Sequence, residues 1–381
     1  MWTNVIFGGT IAVFAAGTLN LLWHLRWMKR LPPVKALLPV TGNPRCSVVI
    51  AARNEELRIE ETIRRLLAQH EVEVEVILVD DRSTDGTSNV VKEAAKRDAR
   101  LRVIRIEKLP DGWLGKCHAC HIGASVATGE WLLFTDADCW LHPDVITRAI
   151  QAAQREGVEH VTLAPGIMAP SPGVCAWHLM FLLSFANWFS GVNRDRPKSY
   201  LGLGAFNLVR ASAYQECGGY EALRLTVLDD VKLGLLLRRA CKRTRAFLGA
   251  DDVKCHWGTN LTSMIQIMEK NYFAAVDFRV PLALGCCVLM VLLSCIIVMG
   301  VFSQTAMGFA ATVSPLCLTA PAAILARRIG WSRGIGFGAP FMIPVFAWAL
   351  FNSMFVTLRR GGIRWRETFY SLDKLRTGGV R

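Results

Sequence analysis

Two stretches decide the fold: Cys46 to Glu56 (CSVVIAARNEE) and Val74 to Gly86 (VEVILVDDRSTDG). Each is a short apolar run, rich in β-branched residues, that ends abruptly in charged and turn-forming residues. Working outward, the same pattern predicts strands over Cys46–Ala51, Val74–Val79, Leu101–Ile106, Trp131–Thr135 and Val158–Leu163. Helical periodicity falls between them, over Glu55–Gln69, Thr87–Arg97, Lys116–Thr128 and Pro143–Arg155. Strands alternating with helices of this length imply βαβ units, hence an α/β domain with a mostly parallel sheet covered on both faces. Ligands of such sheets bind beyond the carboxyl ends of the strands, so the residues just after each strand carry the functional argument.

The flanks are of a different kind. The chain has 381 residues, 52% of them hydrophobic and 20% charged, a mixture that excludes a disordered chain or a small disulfide scaffold. Val5–Leu25 contains no Asp, Glu, Lys or Arg and is long enough to span a bilayer. Arg26, Lys29 and Arg30 follow it, which predicts an uncleaved anchor with the next domain on the cytoplasmic side. Three further apolar runs, Pro281–Phe302, Ala306–Ala326 and Ile335–Leu358, make a multi-pass membrane protein. Arginines flank the last run on both sides, which a simple crossing does not satisfy; Pro340, Pro344 and nearby glycines favour a broken or re-entrant segment. The expected layout is an anchor over 1–30, a proline-bearing linker over 31–45 and two halves of a catalytic domain over 46–165 and 166–280. Membrane segments over 281–358 and a basic cytoplasmic tail over 359–381 complete it. The twelve scattered cysteines read as reduced packing residues.

The excess of 44 Lys and Arg over 31 Asp and Glu, a net +13, suits an anionic membrane face or a phosphate-bearing substrate, and no nucleic-acid module is visible. Arg238, Arg239, Lys242, Arg243 and Arg245 read as a solvated face. Against this background three acidic pairs stand out: Asp80 with Asp81, Asp136 with Asp138, and Asp229 with Asp230. Aspartate is common at loop starts and helix caps. Carboxylates after two apolar strands are harder to explain that way, because desolvation opposes them unless a cation or ligand is present. Asp-x-Asp suits Mg²⁺ or Mn²⁺, hard ions that take few carboxylates and keep positions for phosphate oxygens.

The run from VVIAARNEE through VDDRSTDG and GWLGKCHAC to WLLFTDADC resembles a family 2 inverting glycosyltransferase with a GT-A, Rossmann-like nucleotide-sugar domain. The later GAFNLVRASAYQECGGY and VLDDVKLG stretches, the flanking spans and the closing GGIRWRETFYSL resemble its membrane-bound branch, which includes hopanoid-associated, carotenoid and ceramide-type enzymes. The resemblance implies that Ala51, Arg53 and Glu55 border the nucleotide of a UDP- or GDP-sugar. Asp80 and Asp81 would hold its base and ribose, and Lys116 would lie near the base or diphosphate. Asp136 and Asp138 would bind the metal and diphosphate, and Asp230 would be the general base for a lipid-like acceptor. Gly204 and Asp229, with His256 and Trp257, are further acceptor-side or diphosphate candidates.

The processive polysaccharide synthases of the family carry a Gln-x-x-Arg-Trp motif after the base, whereas this chain reads MIQIMEKNYFAAVDF there. Lys270 is the candidate replacement. The absent motif argues against polymerisation, and the intact carboxylates argue against a non-catalytic scaffold. Cys117–His121 fits a haem-attachment or zinc pattern, but its small-residue spacing suits a helix packed on a sheet. Gly173–Ser190, with Trp177, Phe181, Phe185, Trp188 and Phe189, is expected to lie at the membrane surface as an interfacial helix.

Overall fold

A computed structural model describes residues 2–33, 42–168 and 170–380. Most of the expected linker, including Pro39, lies outside the described residues. The chain forms two compact units, one comprising Lys29–Met168, Gly191–His256 and Thr377–Arg381, the other Met1–Met28, Ala169–Ser190 and Trp257–Arg376.

The first unit is built on an eight-stranded sheet of β1 (Arg45–Ala52), β2 (Glu73–Asp81), β3 (Leu101–Ile106), β4 (Trp131–Asp136), β5 (Cys139–Leu141), β6 (His160–Ile167), β7 (Asn207–Arg210) and β8 (Thr244–Cys255). Their order across the sheet is β3-β2-β1-β4-β7-β6-β8-β5. The first four strands run parallel, and Val48, Val49, Ile50, Val76, Ile77, Leu78 and Leu133 are fully buried, as the two-sided cover of a parallel sheet requires. β7 then enters antiparallel between β4 and β6, and β5 closes the far edge antiparallel to β8. The sheet is therefore mostly parallel and mixed, and both expected halves of the catalytic domain contribute strands to it.

One expectation changes here and another holds. The basic run around Arg243 and Arg245 is not simply a solvated face, because β8 begins at Thr244. Arg245 is buried on it and pairs with Asp195 at 2.9 Å. The Cys117–His121 stretch lies on the helix Gly115–Ser125, with Cys117, Ala119, Cys120 and Gly123 buried, and Gly123 packs against Val49 of β1 and Val79 of β2.

The second unit is helical. Trp2–Leu25, Val280–Phe302, Ala306–Arg328 and Arg333–Arg360 are each long and apolar enough to cross a membrane. Val280–Phe302 turns back into Ala306–Arg328 where Gly300 meets Gly308, a contact with no room for a Cβ. The Arg328 guanidinium donates to the carbonyls of Leu25 and Met28, closing the end of the first helix. From Arg333 the chain runs back along the preceding helix as a 3-10 segment, Gly336 lying against Ala323. It continues at Met342 into the helix Met342–Arg360. That helix passes Cys287, whose Sγ approaches the Ala347 carbonyl at 3.5 Å, then Glu269 and Phe273, where Ser353 bonds both backbones. Cys287 lies seven residues into its own helix, about 10 Å from the start.

The helix Pro172–Ser184 departs from the expected interfacial arrangement. Trp177 and His178 are fully buried, as is Phe189 beyond it, while Trp188 is exposed. Trp177 stacks on Phe346 at 4.5 Å and Gly338 packs against Ala176, so this helix serves as core against the returning segment.

Candidate active site

The site lies at the carboxyl ends of β1, β2 and β4. Strand register puts Ala51 beside Asp136 and Ala52 beside Asp80, so the acidic ends of neighbouring strands form one edge. The loops after β1 and β2 hold each other. Asn54 Oδ1 accepts from the Thr84 amide at 2.8 Å, the Glu55 amide donates to Thr87 Oγ1 at 2.8 Å, and Glu56 Oε2 accepts from the Gly86 amide at 2.9 Å. Asn54 and Arg82 adopt left-handed backbone to do so, with φ of 55° and 59°. Arg53 sits half-buried in the same loop, and Glu55 is buried beside Arg58 at 3.9 Å.

The Asp80 carboxylate is occupied inside the fold. It accepts from the Ser83 amide at 3.0 Å and from the Ser88 hydroxyl, with Arg105 at 3.8 Å. Asp81 is bidentate with Arg82, at 2.7 and 3.1 Å, and faces Gly115, where any side chain would meet its carboxylate. Next to it Trp113 contacts the rings of His118 and His121 at 5.2 and 5.1 Å.

At the other side of this edge, Lys116 Nζ lies 2.7 Å from Asp136 and 3.6 Å from Asp229. Burial works against its charge, yet Asp136, Asp229 and Asp230 hold the ammonium protonated well above the usual lysine range. Asp229 and Asp230 open the helix Asp229–Arg239. Although the two residues are adjacent, both carboxylates serve this site. Asp229 accepts from Tyr220 at 3.0 Å, and Asp230 Oδ2 accepts from the Gly204 amide at 2.7 Å. A first turn leaves its carboxylates free to curl toward a common cation, which a mid-helix position does not allow.

Gly204 marks the convergence. A Cβ there would stand 2.9 Å from Asp136, 3.3 Å from Asp230 and 3.4 Å from Lys116. Residues spread over more than a hundred positions in sequence thus meet at one backbone point that only glycine leaves open. Tyr220, which orders Asp229, was not singled out from sequence. It lies within the quoted GGY stretch, but a tyrosine beside a glycine pair carries no distinctive signal.

Asp136, Asp138 and Cys139 are, among the described residues, the one group of three or more His, Cys, Asp or Glu whose donor atoms lie close enough, within 4.8 Å, to share an ion. Burial first, then Asp136 and Glu55, push the Asp138 carboxyl up to about 7, with Arg58 a weaker counterweight. Burial first, then Asp229, raises Asp230 to about 6 against the pull of Lys116. The carboxylates outweigh the lysine, and such an excess fits a divalent cation. The Cys139 thiol is held protonated by burial and is the wrong donor for a hard ion.

His256 extends the group. Its amide donates to the Asp138 carbonyl at 3.2 Å and its ring meets Trp140 edge-on at 4.6 Å. Burial, then Arg58, lowers its basicity, favouring neutral imidazole. Trp257 and Lys270 belong to the helical unit. Trp257 packs against Phe181 at 5.3 Å, and Lys270 Nζ stands 3.7 Å above the ring of Trp365, so this lysine meets the tryptophan of the tail's Arg-Trp dipeptide.

Comparison with known proteins bears on the fold that carries these residues. Residues 47–218 match glycosyl transferase family 2. A 4,4'-diaponeurosporenoate glycosyltransferase of Staphylococcus haemolyticus is 26% identical over 51% of this chain, which spans about half, 51%, of that relative's length. One of Staphylococcus aureus is 25% identical over 86% of this chain and 88% of its own. A mannosyltransferase from Pyrobaculum calidifontis, solved with GDP-Man and Mn²⁺, superposes with a TM-score of 0.53 at 18% identity, covering 93% of this chain and 96% of that one. The fold is GT-A, and residues 47–218 are similar to the glycosyl transferase family 2 domain.

Proposed function

We propose that this protein moves one sugar from a UDP- or GDP-sugar to a lipid-like acceptor, with inversion at the anomeric carbon. The observation that carries the reading is the meeting of Asp136, Asp230 and Lys116 around Gly204. Such a transfer needs countercharge where a diphosphate leaves and one carboxylate where the acceptor attacks.

Asp230 is the base. Each of its oxygens accepts one backbone amide, from Gly204 and from Val231, which leaves lone pairs for the acceptor hydroxyl proton. As that proton passes to Asp230, the acceptor oxygen bonds to the anomeric carbon and the bond to the diphosphate oxygen breaks. Attack from the base's side in a single displacement inverts the centre. Lys116, held protonated, faces the departing diphosphate. Asp136 and Asp138 are the residues that would hold Mg²⁺ or Mn²⁺, with His256 beside them; the ion, when bound, neutralises charge on the leaving group. Asp81, Arg82, Ala51, Arg53 and Glu55 border the nucleotide, and Asp80 shapes their loop.

The acceptor is read as an apolar molecule of the kind for which the staphylococcal relatives are named, reached from the membrane. Arg333–Arg360 is read as re-entrant, which puts Arg327, Arg328, Arg333, Arg359 and Arg360 on one side and removes the conflict between its two basic flanks. On this reading the catalytic domain is cytoplasmic.

The test uses the full chain in detergent with labelled UDP- and GDP-sugars and a membrane lipid extract. One lipid-soluble product bearing a single sugar is expected. Asp230→Asn should keep nucleotide binding and lose transfer by about a thousandfold. A soluble polymer, or equal loss of binding and transfer, overturns the assignment.

A further inference from the structure

A buried polar chain runs behind Gly204, and no step of the transfer described above uses it. His160 on β6 is fully buried, and its ring joins Thr244 of β8, its register partner, to Asn207 of β7, its diagonal neighbour. Nδ1 lies 3.0 Å from Thr244 Oγ1 and Nε2 lies 3.1 Å from Asn207 Oδ1. The Leu203 amide settles the proton positions. It is an obligate donor 3.2 Å from Asn207 Oδ1, so the atom facing it is the amide oxygen. His160 Nε2 must then carry the hydrogen, and Nδ1 accepts from the Thr244 hydroxyl. Burial keeps this imidazole neutral by lowering its pKa to about 4.

The chain reaches Asp230 at two points. A Cβ on Gly202 would lie 3.1 Å from Asn207 Oδ1 on one side and meet the Asp230 carbonyl on the other, so the loop is gripped between the Asn207 amide and the helix that begins at Asp229. Two residues on, the Gly204 amide donates to the Asp230 carboxylate. Thr162 supports the same turn, accepting from the Leu203 amide at 2.9 Å and donating to the Phe206 carbonyl at 2.9 Å. Among the described residues, Asn207 Nδ2 is buried with no acceptor.

We infer that His160 and Asn207 are positioning residues. They fix the 202–204 turn, and through the Gly204 amide they set the direction of the Asp230 carboxylate toward the acceptor. The inference rests on Asp230 being the base, but its structural half is measurable without any transfer.

The experiment uses the full chain in detergent with His160→Leu, Asn207→Leu and His160→Gln, the last retaining a donor for Asn207. In both leucine variants, amide exchange at Gly204 should quicken about tenfold while Val161 and Leu208, paired across β6 and β7, keep their protection. Turnover should fall about tenfold with the KM for nucleotide sugar within about twofold, and His160→Gln should stay within about threefold of wild type in every measure. Unchanged Gly204 exchange in a folded leucine variant overturns the inference, as does a KM that rises in step with the loss of turnover. Failure of His160→Gln to rescue does the same. If wild type transfers no sugar, the function reading fails, and the exchange measurements still decide this one.

Discussion

The loops after β2 and β4 both open with carboxylates, and they differ in what neutralises the charge. After β2, Asp80 is bonded by the Ser83 amide and the Ser88 hydroxyl beside Arg105, and Asp81 has both oxygens on Arg82. After β4, Lys116 reaches Asp136 at 2.7 Å but is shared with Asp229, and Asp138 is left with its carboxyl raised to about 7. The first loop is electrically complete, and its acids hold it in shape. The second carries an excess of negative charge in a half-buried place. A buried charge without a partner is costly, so the second arrangement makes physical sense as one that receives a cation and a phosphate-bearing ligand.

The contrast can be broken most sharply at Asp138. Asp138→Ala should lower metal-dependent transfer or donor hydrolysis by about a thousandfold while leaving the fold intact, because it relieves repulsion instead of removing a bond. Unchanged turnover would erase the distinction between the two loops. Asp80→Ala should do the reverse. It strands the Ser83 amide and the Ser88 hydroxyl, so the denaturation midpoint should move by an amount equivalent to about 2 kcal/mol, with turnover per folded molecule nearly kept. A large loss of activity at full stability would make Asp80 a ligand-binding group.

The smallest effect sharpens the comparison by pH. A carboxyl whose folded pKa lies above its unfolded value binds more protons folded than unfolded, so its contribution to stability falls as pH rises through that range. For Asp138 the range runs from the ordinary aspartate value near 3.8 to about 7. With a chelator present, Asp138→Asn should therefore match wild type in melting temperature near pH 3.5 and exceed it by a margin that grows up to about pH 7, and added Mn²⁺ should raise wild type alone. A difference that stays constant with pH would show that Asp138 is not charge-frustrated.

Much of the first loop's half of the sheet was legible in advance. The helix Thr87–Arg97 and strand Leu101–Ile106 have the ends expected from periodicity, and β1, β2 and β4 differ by a residue or two. β1, β2 and β4 are buried over most of their length, and each apolar run announces itself. β5, β7 and β8 were not legible. β7 is four residues long, β5 three, and β8 carries Arg245, Asp251, Asp252 and Lys254 among its apolar residues. Asp252 is neutralised by a buried Arg148 at 2.6 Å, a partner more than a hundred residues away. No local pattern distinguishes such a strand from a solvated charged segment. Trp177 illustrates the same limit from the apolar side, since an aromatic helix reads alike whether it faces lipid or the returning segment that covers it.

Local chemistry was enough to determine the alternation of strands and helices, the apolar runs at either end and the carboxylates at the strand tips. Each of these is written in neighbouring residues, through side-chain periodicity and the cost of placing charge beside an apolar run. Tertiary structure alone decided that β7 enters antiparallel between β4 and β6, and that Asp136, Asp230 and Lys116 meet at Gly204. It alone decided that Asp80 is consumed by its own loop and that Gly336 lies against Ala323 of the preceding helix. Those outcomes depend on which distant groups come into contact and neutralise one another, and contact across a hundred residues leaves no trace in the spacing of any one segment.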